Sequence, residues 1–294
     1  MKLKESKKLE LNQETRQLVE LALIEDLGPN YSVNSDITTA ATISPTSQGR
    51  AEIVAKEDLV VCGHTVAELI FSKIDSSIKY TVLHEDGLKV RRGTSIASIL
   101  GCHQALLVAE RLSLNFFQRL SGIATTTAKF VEIAGSSVHI LDTRKTTPGL
   151  RQLEKYAVTV GGGKNHRIGL YDEVLIKNNH IDAIGGDVVK AIELCRSKNQ
   201  PGTVVEVEVR NQNELEQAIR AKPDVILLDN YSPEELKTAV DFIRQLSQEI
   251  KIEASGGING ENLQAYALTG VDRISLGALT HSVRSVDLSM KIFV

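Results

Sequence analysis

Residues 203–257 read TVVEVEVRNQNELEQAIRAKPDVILLDNYSPEELKTAVDFIRQLSQEIKIEASGG. Three apolar runs, TVVEVEV, VILLD and IKIEAS, have the length and β-branched content of strands. The patterns NELEQAIRA and PEELKTAVDFIRQLSQEI between them have helical spacing. Alternation of this kind makes parallel strands joined by crossover helices. Working outward, VHILDT and EVLIK precede this stretch and DRISLG follows it, so six strand candidates run from Val138 to Gly277. Polar residues or glycine sit at the carboxyl end of each: Asp142-Thr143-Arg144-Lys145, Lys177, Glu206 with Glu208, Asp229, Ser255-Gly256-Gly257 and Gly277. Active sites of β/α barrels are built from that end of the strands. Six strands rather than eight predict an α/β fold with an incomplete six-stranded β/α barrel. A doubly wound open sheet is the alternative, because a pattern alone does not prove closure.

The first 120 residues have another texture. An amphipathic helix is expected around Glu14 to Glu25, followed by short strands in AEIVAKEDLVV, IKYTVLHEDG and KVRRGTSIASIL, with turns at Asp86-Gly87 and Arg92-Gly93. From His103 to Gly135 the spacing is helical, with Ser121-Gly122 as the expected break. These features predict a small α+β open-sandwich domain with a helical bridge over residues 1–120. The barrel catalytic domain is expected over 121–284, and a C-terminal segment, 285–294, is expected to return to the first domain. The Asp86-Gly87 hairpin has no modifiable lysine at its tip and is read as structure.

At 294 residues the chain can hold one barrel-sized domain with a smaller companion. No apolar window is long enough to cross a bilayer, and the start, MKLKESKKLELNQ, has no apolar core for a signal peptide. Cys62, Cys102 and Cys195 are far apart and lack CxxC spacing, which points to a reducing compartment and away from structural zinc. A cytoplasmic enzyme is expected. A net charge of -3 and few aromatics give no support to nucleic-acid binding, which calls for a basic surplus and stacking residues.

Residues 141–181 concentrate the cations Arg144, Lys145, Arg151, Lys155, Lys164, His166, Arg167 and Lys177. Several fall where buried strands end, and a buried cation without a partner is costly, so they imply a strongly anionic ligand carrying phosphate or carboxylate. Glu206 and Glu208 lie two apart on a strand of valines, so both leave one face, which must be a polar interior or a cleft. With Asp229 they suit magnesium held partly by substrate oxygens, the alternative being a structural salt-bridge network. The glycine turns at 255–257 and 276–278 let backbone N–H groups approach a phosphate, as the last two loops of a barrel often do. They are otherwise just tight turns. Gly161-Gly162-Gly163 reads as a flexible run delivering His166 and Arg167, and His180 reads as a cap for the helix after Lys177.

The motifs DTRKTTPGLR, GGGKNHRIGLYDEVLIKNNH, VEVEV, LLDN, EASGGI and SLGALTHS, in this order, resemble the quinolinate phosphoribosyltransferase family (nicotinate-nucleotide pyrophosphorylase, carboxylating). EDLG and AERLSLNFFQRLSGIAT resemble its first domain, so the likeness spans nearly the whole chain. One departure is EDLGPNYSVNSDITT, where the family has a compact EDxGxGDxT, and the course of residues 26–39 is left open.

The resemblance implies a small N-terminal sandwich and a six-stranded α/β barrel. It also implies transfer of phosphoribosyl from phosphoribosyl pyrophosphate to quinolinate, releasing pyrophosphate and CO2 and giving nicotinate mononucleotide for NAD synthesis. Arg144, His166, Arg167 and Lys177, with Thr143 beside them and Arg111 from the helical bridge, would bind quinolinate. Lys145, Glu208 and Asp229 would be catalytic, Glu208 and Asp229 meeting Mg2+ partly through substrate. Ser255, Gly256, Gly257 and Gly277 would hold the 5′-phosphate. The family implies a homodimer with shared sites, a higher assembly being left open, and neither nucleic acid nor membrane as partner. Two other functions compete: an aldolase using Lys177 as a Schiff-base lysine, and a non-catalytic relative that keeps the scaffold for binding.

Overall fold

The computed structural model describes residues 9–293. The chain divides into two compact units that interleave along the sequence. The first takes the described parts of Met1–Ala128, Thr146–Gly162 and Leu279–Val294; the second takes Lys129–Lys145 and Gly163–Ala278.

The first unit carries strands β1 (Gln48–Ala55), β2 (Leu59–Val60), β3 (Lys79–Val82), β4 (Lys89–Val90) and β5 (Ser95–Cys102). Beyond the second unit's β6 (His139–Leu141), β7 (Val174–Ile176), β8 (Val205–Val209), β9 (Val225–Asp229), β10 (Lys251–Ser255) and β11 (Arg273–Ser275), the chain returns to it as β12 (Leu288–Phe293). Its four-stranded antiparallel sheet has the order β12-β1-β5-β3, and the C-terminal strand pairs with β1 from Arg50↔Phe293 to Ala55↔Leu288. Alternation along β1 buries Ala51 and Ile53, which with Ile70, Phe71, Ile99 and Phe117 form an apolar core. The helix read near Glu14 is present as Gln13–Leu27, capped by Asn12 and ended at Gly28 with φ of 86°. The open stretch 26–39 winds through a 3-10 turn, Val33–Ser35, into a helix, Ile37–Thr42, whose first N–H groups bond to Asp36.

The break expected at Ser121-Gly122 does not occur, and one helix runs from His103 to Ala134. Gly122 serves a close approach instead: a Cβ there would lie 2.4 Å from the Arg284 carbonyl oxygen. Ser121 bonds through Oγ to both the N–H and the carbonyl of Cys62.

In the second unit all six strands expected from the sequence form one parallel sheet, ordered β6-β11-β10-β9-β8-β7. Crossover helices start where the sequence caps them, with Asn211 before Gln212–Ala221 and a Ser232/Glu235 capping box before Pro233–Leu246. The sheet is strongly curled. β8 and β11 are three strand spacings apart, about 14 Å in a flat sheet. Yet Arg273 Nη2 of β11 reaches Glu206 Oε2 of β8 at 2.9 Å across the interior. Among the described residues no helix is long and apolar enough to cross a membrane.

Candidate active site

Because the six strands are parallel, their carboxyl ends lie at one edge of the second unit. That edge collects Thr143, Arg144, Lys145, Lys177, Glu208, Asp229, Ser255, Gly256, Gly257 and Gly277, with His166 and Arg167 on the segment that follows the glycine run. Of the cations read in residues 141–181, Arg151 and Lys155 belong instead to the helix Arg151–Val160 of the first unit. Arg111 is exposed on the long helix, also in the first unit.

The loop after β6 is pinned by short bonds. Thr143 Oγ1 accepts the Lys145 N–H at 3.0 Å. The glycine run, expected to be flexible, is tied at both ends. Gly161 caps its helix through the Ala157 carbonyl, and Lys164 lies parallel to Leu141, donating to Ile140 O at 2.8 Å. Asp142 is fully buried and its Oδ1 accepts the His166 N–H at 2.9 Å, an anchoring role that the sequence did not reveal.

Arg167 is buried, and the charge of Arg144 acts on it. Its pKa is lowered by burial first and then by the Arg144 charge, while Glu206, Asp172 and Glu173 pull it upward. Arg144 Nε is buried and has no hydrogen-bond partner among the described residues. Lys177, expected among the quinolinate-binding cations, has a partner in the protein: its Nζ lies 2.7 Å from Glu208 Oε2. Asp229 belongs to the same group of charges. Burial raises its pKa and Glu208 adds to the rise, against Lys177 and Lys145. His180 accepts the Lys177 N–H at Nδ1, at 2.9 Å, as a cap of the helix Asn178–Ala183. His281 pairs with its neighbour Ser282.

Beneath the edge lies a buried polar cluster that sequence reasoning only grazed. Glu206, Glu253 and His166 are buried, and Arg273 is mostly so. Arg273 stands opposite Glu253 in the β10–β11 register and forms an ion pair with it, Nε to Oε2, at 2.5 Å. His166, expected as a substrate donor, turns both ring nitrogens to protein atoms: Nε2 lies 3.0 Å from Glu206 Oε2, and Nδ1 accepts the Arg167 N–H at 2.8 Å.

At the last two strand ends the glycines differ in their surroundings. Gly256, with φ of 88°, leaves room for Asn230, whose Oδ1 would lie 2.2 Å from an added Cβ. Gly257, with φ of 63°, faces open space. Asn230 was not foreseen. It adopts φ of 61°, donates to Asp229 Oδ2 at 2.7 Å and bonds through N–H to Ser255 O, tying two strand ends together.

His166, Glu173 and Glu206 bring potential metal-ligand atoms within 4.8 Å of one another. Arg273 and His166 already share Glu206 Oε2, so those lone pairs are committed and the trio is a poor cation site. Glu208 and Asp229 fit a divalent ion better. They are neighbouring acids at the edge, too few to cage an ion alone, which suits magnesium completed by substrate oxygens.

Residues 123–291 match the family described as quinolinate phosphoribosyl transferase, C-terminal domain, and residues 36–121 match its N-terminal domain. The chain belongs to the quinolinate phosphoribosyl transferase family. It is 42% identical over 281 residues to a probable nicotinate-nucleotide pyrophosphorylase [carboxylating] of Bacillus subtilis (strain 168), covering 94% of this chain and 93% of that one. It is 41% identical over 294 residues to a quinolinate phosphoribosyltransferase [decarboxylating] of Nicotiana glauca, covering 94% of this chain and 82% of that one. Among solved structures, the nicotinate-nucleotide pyrophosphorylase of Francisella tularensis superposes with a TM-score of 0.90 at 40% identity, covering 97% of this chain and 98% of that one. The two-domain family pattern thus covers both the antiparallel and the parallel sheet.

The buried cluster makes a pH prediction. Burial, with Glu206 nearby, raises the Glu253 pKa from 4.5 to about 7. Between those values the native carboxyl keeps a proton that the unfolded chain has released. Glu253 therefore weighs against folding as pH rises through that window, and most above about pH 7. Urea unfolding at about pH 5 and about pH 8 should show Glu253→Gln gaining stability relative to wild type at the higher pH. A difference that is constant with pH, or that moves the other way, contradicts this assignment.

Proposed function

We propose that this chain transfers the phosphoribosyl group of phosphoribosyl pyrophosphate to quinolinate, with loss of pyrophosphate and CO2, giving nicotinate mononucleotide for NAD synthesis. The observation that carries this reading is at Arg144 and Arg167, whose like charges act on each other while a buried Arg144 Nε has no partner among the described residues. Like charges held together in a partly buried site are costly until an anion joins them. Two adjacent carboxylates, presented to planar forks, answer both charges at once.

In this reading Arg144, Arg167 and Lys177 hold the quinolinate carboxylates and Thr143 fixes the turn that carries Arg144. Lys177, half-exposed on Glu208, exchanges that partner for substrate. Lys145 faces the diphosphate, Glu208 and Asp229 the ribose and a Mg2+ ion, and Ser255, Gly256, Gly257 and Gly277 the 5′-phosphate. Magnesium, when bound, offsets charge on the leaving diphosphate. The pyridine nitrogen bonds to the ribose carbon as the carbon–oxygen bond to pyrophosphate breaks, and the oxygen leaves with the electron pair. Asp229 and Glu208 stabilise the developing positive charge on the ribose. The bond from the adjacent ring carbon to its carboxylate then breaks, CO2 leaves, the electron pair stays on that carbon stabilised by the now cationic ring nitrogen, and the carbon takes a proton. An aldolase role for Lys177 fits poorly, since Schiff-base lysines are activated by apolar pockets and Lys177 is half-exposed beside an acid.

The assembly proposed is a homodimer in which Arg111 of the partner subunit completes each site. A cytoplasmic setting goes with the free Cys62, Cys102 and Cys195.

The direct assay is pyrophosphate release with quinolinate and phosphoribosyl pyrophosphate, with and without magnesium. Release should require both quinolinate and the divalent ion. Absence of quinolinate-dependent release overturns the function, and full activity after exhaustive chelation overturns the metal role. The shared site is tested by mixing Arg111→Ala with Lys177→Ala under conditions of subunit exchange. Each mixed dimer has one intact site, so random pairing should restore roughly a quarter of wild-type activity. Exchange without recovery means that Arg111 does not act across the dimer.

A further inference from the structure

The cluster of Glu206, Glu253, Arg273 and His166 lies below the edge where substrate is proposed to bind, and no step of the proposed chemistry uses it. Its atoms are arranged in a chain. Arg273 holds Glu206 at Oε2 with 2.9 Å and Glu253 with 2.5 Å. The same Glu206 oxygen faces His166 Nε2 at 3.0 Å, whereas the nearer Glu253 oxygen is 3.6 Å away. On the other side of the ring, Nδ1 accepts the Arg167 N–H at 2.8 Å. An acceptor at Nδ1 and a carboxylate at Nε2 are satisfied together by one form of the ring, the neutral imidazole with its proton on Nε2.

We propose that Glu206 is a positioning residue for Arg167: it orients His166 through Nε2, and His166 Nδ1 then anchors the Arg167 backbone so that its guanidinium is held beside Arg144. This inference rests on the phosphoribosyl transfer proposed above for what Arg167 binds, but the anchoring itself does not.

Charge balance supports the arrangement. Two carboxylates face one guanidinium, leaving one buried charge in excess, and a buried charge without compensation is costly. One further proton removes the excess, and it has two places to go, Glu253 or His166 Nδ1. Burial raises Glu253 to about 7, so that group takes a proton readily. Burial lowers the His166 pKa, and Glu206 and Glu253 more than reverse this, so its direction is upward. The Arg167 N–H occupies the very atom where the second imidazole proton would sit, which directs the proton to Glu253.

A chain of this kind explains why β8 carries two glutamates of different duty. Glu208 meets Lys177 at the edge, while Glu206, one repeat deeper, steadies the segment that brings Arg167 to the same edge.

The test has a spectroscopic arm and a kinetic arm. In the apo protein with 15N-labelled histidine, the His166 resonances, assigned by their loss in His166→Asn, should show a pyridine-type Nδ1 and a pyrrole-type Nε2 at neutral pH. An imidazolium, or a proton on Nδ1, overturns the proposal. In the kinetic arm Glu206→Leu should raise KM for quinolinate about tenfold or more, with KM for phosphoribosyl pyrophosphate within about twofold of wild type. Glu206→Gln keeps one oxygen able to accept from both His166 and Arg273, and should return KM for quinolinate to within about threefold of wild type. An unchanged quinolinate KM in Glu206→Leu, or a Glu206→Gln as impaired as the leucine variant, overturns the proposal. If Glu206→Leu does not fold, the nitrogen resonances of the wild-type protein decide. If the wild-type protein turns over no quinolinate, the functional reading fails while the spectroscopic arm still judges the anchoring.

Discussion

Arg273 crosses the interior of the parallel sheet to meet Glu206, and much of the second unit follows from that contact. Strand β8 can present glutamate inward only if something cationic awaits it, because burying an unpaired carboxylate costs far more than a valine-lined strand returns. The contact needs a curled sheet, and a curled parallel sheet brings its carboxyl ends together. Arg144, Lys177, Glu208, Asp229 and Ser255 come from five different strand ends, so curvature rather than chain proximity makes them neighbours.

The edge is not a uniform patch of positive charge. On one side Arg144 and Arg167 repel each other, and Arg144 Nε is buried with no partner among the described residues. On the other, Lys177, Lys145, Glu208 and Asp229 form a mixed group that is partly balanced within the protein. The first arrangement suits a compact dianion. The second would suit a diphosphate arriving with a divalent ion, the acids being the groups that would take the metal and the lysines those that would take the phosphate oxygens. Two substrates of opposite demands, one bare and one metal-bound, can then share one cleft.

Local chemistry made the fold legible. Short apolar runs such as VILLD and IKIEAS end in polar residues, and all six proved to be strands of one sheet, because a buried parallel strand must be apolar along its length and is free to be polar only where it leaves the core. Cap signals such as Ser232 with Glu235 are equally local. What pattern alone misjudged depends on distant partners. Ser121-Gly122 looked like a helix break, yet the glycine admits the backbone at Arg284. The glycine run before Lys164 looked flexible, but its far end is paired alongside β6. His166 looked like a substrate donor, and only the three-dimensional contact with Glu206, forty residues later, shows both nitrogens occupied. Glu253, Asp142 and Asn230 lie inside motifs and Arg273 inside a strand run, yet none had a role assigned from them; each matters through a partner that sequence spacing does not announce.

The central claim is that the two guanidiniums are held together for a dianion. The measurement that tests it most directly is the ratio of kcat/KM for quinolinate to that for nicotinate, which has the same ring and lacks the second carboxylate. A charge-assisted hydrogen bond contributes about 1.5–3 kcal/mol, and leaving its buried partner unmet adds to the loss. Quinolinate should therefore be preferred by about a hundredfold or more. Comparable values for the two acids would contradict the claim and mean that Arg144 and Arg167 are paired for some other reason.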